Sequence, residues 1–282
     1  MAGEIESVIT QADLRGISRL VPYLPPEYCR LTAEMVIASR PRAMLVTGFY
    51  VNGAPETDGP PGAVALADAL IAMGFEVVLV TDRVSFEVLE AIAPSRAKCV
   101  SFPAGDDRES MEAAAALIAL YRPTVLGFIE RPGLTADCRY FNMRGVDVTE
   151  HCAMTDYLLD HGVPSFAVGD GGNEAGMGRW ARRLASEGIT QTPAFTVADH
   201  VVAASVSNWG ALGLVAYLSI LRGRDLLPEL ETEAARIRTM VRMGAVDGFS
   251  GDNVAKVDGK PLEESLLVLA KLKDLVDDAL GP

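Results

Sequence analysis

Carboxylate side chains gathered among glycines are the most promising chemical feature of this sequence. Within residues 169–178, five glycines accompany Asp170, Asn173 and Glu174. Glycine lets a backbone turn tightly and approach a ligand closely. Two carboxylates four residues apart could divide the roles of acid and base, or could bind a divalent cation together. The alternative is that Asp170 and Glu174 only complement the dipole at the start of a helix.

Three further carboxylates lie close to other apolar runs. Glu56 and Asp58 belong to a segment rich in proline and glycine, and Glu130 follows the apolar run 124–129. A carboxylate at the end of a buried strand is partly desolvated, which raises its pKa. We therefore treat all three as candidate catalytic residues. The alternatives are turn and cap chemistry for Glu56 and Asp58, and an ion pair with Arg131 for Glu130.

Arginines, asparagines and glycines of the same segments are candidate substrate-binding residues. An arginine could bind a substrate carboxylate through paired hydrogen bonds, or could neutralise nearby acids. An amide side chain suits the orientation of a substrate because it both donates and accepts hydrogen bonds, although a buried turn explains it equally well. The candidates are Arg131, Asn142, Arg144, Gly171, Gly172, Asn173 and Asn208.

A regular alternation of strands and helices positions these residues. Short apolar runs predict buried parallel strands. The predicted strands are 43–47, 76–81, 98–102, 124–129, 163–168 and 200–205. The predicted helices are 62–73, 85–92, 109–121, 150–161, 175–186, 209–222, 228–243 and 262–279. The alternation predicts an α/β fold with a doubly wound, mostly parallel sheet, helices on both faces and extra C-terminal helices.

We predict a single α/β domain that covers residues 1–282. Residues 1–40 form an N-terminal helical segment, residues 41–210 the core of the sheet, and residues 211–282 the C-terminal helices with a short hairpin. The hairpin is expected where a Val-Asp-Gly sequence occurs twice, at 246–248 and 257–259.

The candidate residues follow the first, fourth, fifth and sixth predicted strands. In a parallel sheet the loops that follow the strands share the carboxyl edge. In a doubly wound sheet the first and fourth strands are neighbours where the strand order reverses, and ligands bind there. If the fifth and sixth strands continue outward from the fourth, all candidates lie on one half of this edge. The sequence therefore predicts a single site, on condition of that strand order.

Composition argues against several kinds of partner and cofactor. The net charge is −13 and no basic stripe occurs, so we expect no nucleic-acid partner. The longest apolar stretch, 209–221, is too short and too rich in glycine to span a membrane. No glycine fingerprint follows the first strand and no P-loop occurs, so we expect no nucleotide cofactor. Scattered cysteines and a polar N-terminus predict a cytoplasmic protein, and homo-oligomerisation stays open.

Several blocks of the sequence resemble the D-glutamate cyclase family. They are TGF (47–49) with PETDGPPG (55–62), ERPG (130–133), YFNMRG (140–145), GDGGNEAGMG (169–178) and SNWG (207–210). The resemblance extends from near residue 15 to near residue 275, in the order of the family. Cys138 departs from it, because related sequences have glycine there, and we expect this to alter a turn rather than the chemistry. We expect the domain to stand alone here, and we therefore do not expect the mitochondrial targeting of vertebrate relatives to carry over.

The resemblance implies a lyase that converts D-glutamate, its small-molecule partner, to 5-oxo-D-proline and water. Our hypothesis is that Glu130 or Asp170 takes a proton from the amine, while Asp170 and Glu174 bind Mg²⁺ or Mn²⁺ that polarises the γ-carboxyl group. Without a metal, Arg131 or Arg144 must supply the positive charge. An acidic pocket for a dianionic substrate favours a bound cation.

Arg144 together with Asn142 could hold the α-carboxylate of the substrate.

Two other functions stay open. One is a metal-dependent hydrolase that opens 5-oxoproline or a related lactam. The other is a non-catalytic protein that binds a small acidic metabolite, with the glycine loop as an anion nest. Comparing forward and reverse rates separates the first alternative, and ligand stabilisation without turnover identifies the second.

Overall fold

The computed structural model describes residues 3–281, and a parallel sheet forms the centre of the fold. In chain order, the strands of these residues are β1 (Arg42–Thr47), β2 (Tyr50–Val51), β3 (Ala54–Pro55), β4 (Glu76–Thr81), β5 (Lys98–Ser101), β6 (Val125–Ile129), β7 (Ser165–Gly169), β8 (His200–Ala203), β9 (Lys256–Val257) and β10 (Lys260–Pro261). The central sheet has the order β5-β4-β1-β6-β7-β8, and each pair of neighbours is parallel.

This topology confirms the predicted α/β fold. All of the predicted strands of the sheet are present, with boundaries that differ by at most two residues. β1 and β6 are neighbours where the strand order reverses, and β7 and β8 continue outward from β6. The condition for a single site on one half of the carboxyl edge is therefore met.

Helices surround the sheet. Within residues 3–281 the α-helices are α1 (Glu4–Ile9), α2 (Tyr28–Ala38), α3 (Pro60–Ala72), α4 (Phe86–Ile92), α5 (Asp107–Tyr121), α6 (Ala181–Ser186), α7 (Ser207–Arg222), α8 (Leu230–Arg242) and α9 (Leu262–Leu280). α7 packs against α2, α3 and α9, and α5 packs against the 3₁₀ helix Thr155–His161. With the usual right-handed crossovers, α3 and α4 lie on one face of the sheet, and α5 lies on the other.

Two predicted helices are wrong in type or extent. The segment 150–161 forms 3₁₀ turns instead of an α-helix, because Asp156 is buried and accepts hydrogen bonds from Leu134 N and Thr196 Oγ1 outside the segment. The segment 175–186 becomes helical only from residue 178 onward. Its first backbone N–H groups donate to other segments, for example Ala175 N to Arg131 O, and so cannot begin a helix.

The chain ends pack onto the same core as the sheet. One buried apolar cluster extends from Ile5 in α1 to Val276 in α9. The hairpin β9–β10 turns at Asp258-Gly259, where both residues have positive φ, as a type I′ turn requires. The first Val-Asp-Gly sequence does not form a hairpin, since Val246 pairs with Glu56 instead. No helix of residues 3–281 has both the length and the apolar content that crossing a membrane requires.

Candidate functional site

Buried carboxylates meet at the carboxyl ends of β1, β6 and β7. The predicted catalytic acids are at most 3% exposed, and they are Glu56, Asp58, Glu130, Asp170 and Glu174. Carboxylate oxygens of Glu130, Asp170 and Glu174 lie within 4.8 Å of one another, and Asp58 and Asp170 form a second such group with Asp258. Asp170 belongs to both groups and therefore joins them. We call the five residues of these two groups, together with Glu56, the acid cluster.

Arg15 supplies positive charge at the centre of the acid cluster. Its Nη1 donates to Asp170 Oδ1 over 2.5 Å, and its Nη2 donates to Asp258 Oδ1 over 2.6 Å. The Arg15 side chain is 8% exposed, so water screens these ion pairs little. Burial still raises the pKa of Asp170 well above its usual value, although Arg15 acts in the opposite direction.

Glu130 directly follows the central strand β6 and has a strained backbone conformation. Its φ of 42° is in the left-handed region, which is unfavourable for a residue other than glycine and is found most often at functional sites. Its Oε2 accepts a hydrogen bond of 2.6 Å from the Ser207 hydroxyl. Burial raises the pKa of Glu130 well above the usual range, and the nearby charges of Glu174 and Glu56 raise it further.

Backbone pairing holds the main chain of Glu56 in place, whereas one oxygen of its carboxylate has no partner among residues 3–281. Its backbone N–H donates to Phe49 O, and the residue forms a bridge with Val246. Its Oε1 is buried and has no hydrogen-bond partner among residues 3–281. Burial raises the pKa of Glu56 well above its usual value, and the charges of Asp258 and Asp58 add to this effect.

Asp58 and Asn208 cap each other's helix. Asp58 accepts hydrogen bonds from the N–H groups of Ser207 and Asn208 at the start of α7. Asn208 Oδ1 in turn accepts from the N–H groups of Gly59 and Gly62 at the start of α3. Burial raises the pKa of Asp58 to about 8, while the two α7 donors lower it. This pair joins α3 and α7. Both residues therefore cap a helix, and a cap was the alternative role considered for Asp58.

Glu174 organises the glycine loop from within. Its carboxylate accepts from the backbone N–H groups of Asp170, Gly171 and Gly172 over 3.3, 2.7 and 2.6 Å. The N–H groups of Gly171 and Gly172, predicted to bind substrate, are therefore occupied by the loop's own carboxylate. A Cβ atom on Gly171 would lie 3.3 Å from Arg15 Nη1 and 2.6 Å from Asn173 Oδ1. Glycine at this position thus allows Arg15 to approach the loop.

Arg131 belongs to a different buried cluster. Its guanidinium donates to Asp82 Oδ2 over 2.5 Å, to Thr155 Oγ1, and to the backbone carbonyls of Gly48 and Ala153. The side chain is fully buried. It does not pair with Glu130, which was the alternative considered for that residue. These contacts leave Arg131 a structural role beside the acid cluster.

A small, partly open pocket connects the acid cluster to solvent. Its lining consists of Arg15, Phe49, Val51, Glu56, Glu130, Asn142, Met143, Arg144, Asn173 and Gly248. Arg144 is exposed, whereas Glu56 and Glu130 are buried. The pocket therefore extends from a solvent-facing arginine to an acidic floor.

Arg144 has only a neutral hydrogen-bond acceptor within residues 3–281, because its Nη2 donates to the carbonyl of Phe249. Asn142 Oδ1 accepts from the N–H groups of Arg144 and Val146, and so shapes the turn that carries Arg144. Asn173 Nδ2 donates to Phe141 O, whereas its buried Oδ1 has no partner within the same residues. Arg144 and Asn173 thus keep hydrogen-bonding capacity at the pocket.

Sequence reasoning missed Arg15 and Asp258. Arg15 lies in a loop of a segment predicted as helical, and no motif marks it. Asp258 lies in the predicted hairpin turn, where an Asp-Gly pair has an ordinary explanation. The repeated Val-Asp-Gly sequence was the available signal, since Asp247 and Asp258 are both buried beside the site. Asp247 accepts from the N–H of Gly259, and so holds the turn that presents Asp258.

Comparison with known proteins identifies the family to which this chain belongs. The sequence model of the family described as "D-glutamate cyclase-like, C-terminal" matches residues 5–273, which include the whole acid cluster and Arg15. The human protein "D-glutamate cyclase, mitochondrial" is 32% identical over 316 aligned residues, which cover 93% of this chain and 49% of the human protein. The chain thus spans about half the length of that curated relative. It belongs to the D-glutamate cyclase-like, C-terminal family.

Proposed function

We propose that this protein is a lyase that converts D-glutamate to 5-oxo-D-proline and water. Family membership and the name of the human relative support the reaction. The observation that carries the proposal is a pocket with an exposed arginine at one end and buried, partly unpartnered carboxylates at the other. D-glutamate has complementary charges, because its carboxylates suit Arg144 and its ammonium group suits the acid cluster.

Ring closure moves two protons from nitrogen to oxygen. The ammonium nitrogen has three hydrogens, the lactam nitrogen of the product has one, and the γ-carboxylate loses one oxygen as water. The reaction therefore needs a group that accepts a proton from nitrogen and a group that donates one to the departing oxygen. No net proton is exchanged with solvent, so two acids that share protons are sufficient.

Glu56 and Glu130 are the acids that meet this need. Both line the pocket, and burial raises the pKa of each well above its usual value. Neighbouring carboxylates with raised pKa values suit a division of roles, in which one acts as base while the other acts as acid. In our proposal Glu130 accepts the proton of the ammonium group, and Glu56 protonates the oxygen that leaves.

Arg144 binds a carboxylate of the substrate in this proposal. A guanidinium that donates only to a neutral carbonyl gains a stronger, charge-assisted hydrogen bond when a carboxylate replaces that acceptor. Asn173, with its unpartnered Oδ1, is suited to accept from the ammonium group. Together with the acids, these contacts would fix the configuration at the α-carbon.

A divalent cation stays a proposal. Glu174, expected to ligate it with Asp170, already accepts three hydrogen bonds from its own loop. A second possible ligand set is Asp58, Asp170 and Asp258, with oxygens within 4.8 Å of one another, and Asp58 likewise accepts three backbone hydrogen bonds. Arg15 now pairs with Asp170 and Asp258, so a metal would have to displace it.

The cytoplasmic compartment also stays a prediction.

One assay tests the proposed reaction. The purified protein is incubated with D-glutamate or L-glutamate, with Mg²⁺, Mn²⁺ or a chelator, and 5-oxoproline is measured by chiral chromatography. We expect product from D-glutamate only. If both γ-carboxyl oxygens carry ¹⁸O, the product should retain one label, because one C–O bond breaks. Absence of product under every metal condition refutes the proposal, and faster opening of 5-oxo-D-proline than its formation favours a hydrolase.

A further inference from the structure

Arg15 is fixed in place through both its backbone and its side chain. Asp13 Oδ1 accepts from the backbone N–H groups of Arg15 and Gly16, which fixes the loop that carries the side chain. Two carboxylates clamp the guanidinium, as described above. Lys260 Nζ additionally donates to Ala12 O over 2.5 Å, so the β9–β10 hairpin is bonded to this loop at a second point. The orientation of the guanidinium is therefore fixed before any ligand binds.

One donor of this clamped guanidinium has no acceptor. Arg15 Nε is buried and has no hydrogen-bond partner within residues 3–281, while Nη1 and Nη2 each bond to a carboxylate. A buried donor without an acceptor is unfavourable and rare, and a water, an ion or a ligand can supply the acceptor. Arg15 lines the pocket together with Glu56 and Glu130. A molecule bound in the pocket is therefore a candidate for the missing acceptor.

Arg15 and Arg144 line the same pocket but differ in their exposure to solvent and in their hydrogen-bond partners. Arg144 is exposed and bonds only to a neutral carbonyl, so it can exchange that partner for a substrate carboxylate. Arg15 cannot reorient without breaking two buried ion pairs. A fixed donor is suited to charge that develops during a reaction, because no reorganisation is needed at the transition state.

We infer that Arg15 stabilises the oxyanion of the γ-carboxyl group during ring closure. This inference rests on the proposed function. When the amine nitrogen bonds to the γ-carboxyl carbon, the electron pair of the C=O π bond moves to oxygen, and Arg15 Nε donates to that oxyanion. When the intermediate collapses, the C=O bond re-forms and the other oxygen leaves as water with protons that came from nitrogen. Arg15 itself exchanges no proton.

The test compares kcat and KM of the wild type, Arg15→Lys and Arg15→Ala. We expect kcat to fall by about 10²–10³-fold in both variants with KM changed less than about threefold, as for other oxyanion donors. Arg15→Lys keeps a positive charge between Asp170 and Asp258 but lacks the Nε donor, so folding should survive. Arg19→Ala is the matched control, because Arg19 is exposed and lies in the same segment.

Chemical rescue separates catalysis from structure. Guanidinium or ethylguanidinium ions added to Arg15→Ala should restore kcat in a saturable manner and should not affect Arg19→Ala. A kcat of Arg15→Lys within threefold of the wild type overturns the inference and leaves the proposed function intact. The same holds if thermal unfolding shows Arg15→Ala to be folded and guanidinium restores nothing. A wild type that forms no 5-oxo-D-proline overturns both.

Discussion

Glu130 and Arg131 are adjacent in sequence, follow the same strand and are both buried, yet they belong to two different kinds of charged cluster. Arg131 has an acceptor in Asp82 and further acceptors in a hydroxyl and two carbonyls. Glu130 shares its surroundings with other carboxylates, and among residues 3–281 its carboxylate accepts only from the Ser207 hydroxyl. The first cluster is satisfied within the protein, whereas the second is not.

Unpartnered polar atoms distinguish the two clusters better than charge or burial does. Asp170 Oδ2, Asp258 Oδ2, Glu56 Oε1 and Arg15 Nε of the acid cluster and its arginine have no partner within residues 3–281. No atom of Arg131 or Asp82 is in this state within those residues. Unpartnered buried groups are costly, and a bound ligand is one way to satisfy them. The acid cluster therefore keeps hydrogen-bonding capacity that the contacts of Arg131 and Asp82 use up within the protein.

Glu130→Gln should give the largest effect and affect activity alone. The amide cannot take a proton from the amine, so kcat for D-glutamate should fall by about 10²–10⁴-fold. Stability should be unchanged or higher, since a neutral group replaces an acid whose pKa burial raises. Turnover assays and thermal unfolding measure the two quantities. Glu109→Gln, in the exposed first turn of α5, is a control, and a Glu130→Gln variant with full activity would remove Glu130 from the mechanism.

Arg131→Met should have the opposite signature. Removing the arginine leaves Asp82 buried without its counter-ion, which costs about 3–5 kcal/mol of unfolding free energy. Urea denaturation measures this loss, with Arg139→Met as control. The ion pair of Arg139 with Asp147 is exposed, so its loss should leave the unfolding free energy almost unchanged. A stable Arg131→Met variant that has lost substrate binding would return Arg131 to the site.

The sequence predicted the sheet and most of the acids but could not separate these two clusters. The strands were predictable because a buried parallel strand is a short, continuous apolar run. Adjacent Glu130 and Arg131 carry the same local signal, and only tertiary contacts assign them to different clusters. Arg15 and Asp258 are 243 residues apart, so their ion pair has no signature in any local window. The reciprocal caps of Asp58 and Asn208 were hidden for the same reason.

Arg144→Ala should have an intermediate effect, confined to binding. If Arg144 holds a substrate carboxylate, its loss removes a charge-assisted hydrogen bond of about 1.5–3 kcal/mol, which raises KM by about 10- to 100-fold. The kcat should change little, and unfolding should be unaffected because Arg144 is exposed. Steady-state kinetics separate this result from that of Arg15→Lys. An unchanged KM would show that Arg144 does not bind substrate, and its hydrogen bond to the carbonyl of Phe249 would then be its role.

Stability should depend on pH through the acid cluster. Raised pKa values mean that the folded protein binds protons more tightly than the unfolded chain does. The contribution of these acids to the free energy of unfolding is therefore fully present below about pH 4 and falls as pH rises. The decline should continue toward the pKa of Asp58, raised to about 8. Glu56→Gln should reduce this decline, so its melting temperature should exceed that of the wild type increasingly between pH 4 and 8. A constant difference would show that Glu56 does not titrate in this window.

Cys138→Gly should have the smallest effect and tests strain away from the cluster. Cys138 and Glu130 both have positive φ, 58° and 42°, but Cys138 lies in an exposed turn. Glycine removes a left-handed cost of about 1–2 kcal/mol and adds about 0.5–1 kcal/mol of unfolded-state entropy, so the variant should gain no more than about 1.5 kcal/mol. Urea denaturation measures the gain, and turnover should stay at the wild-type rate. Lost turnover would mean that strain at residue 138 serves the site, as we infer only for Glu130.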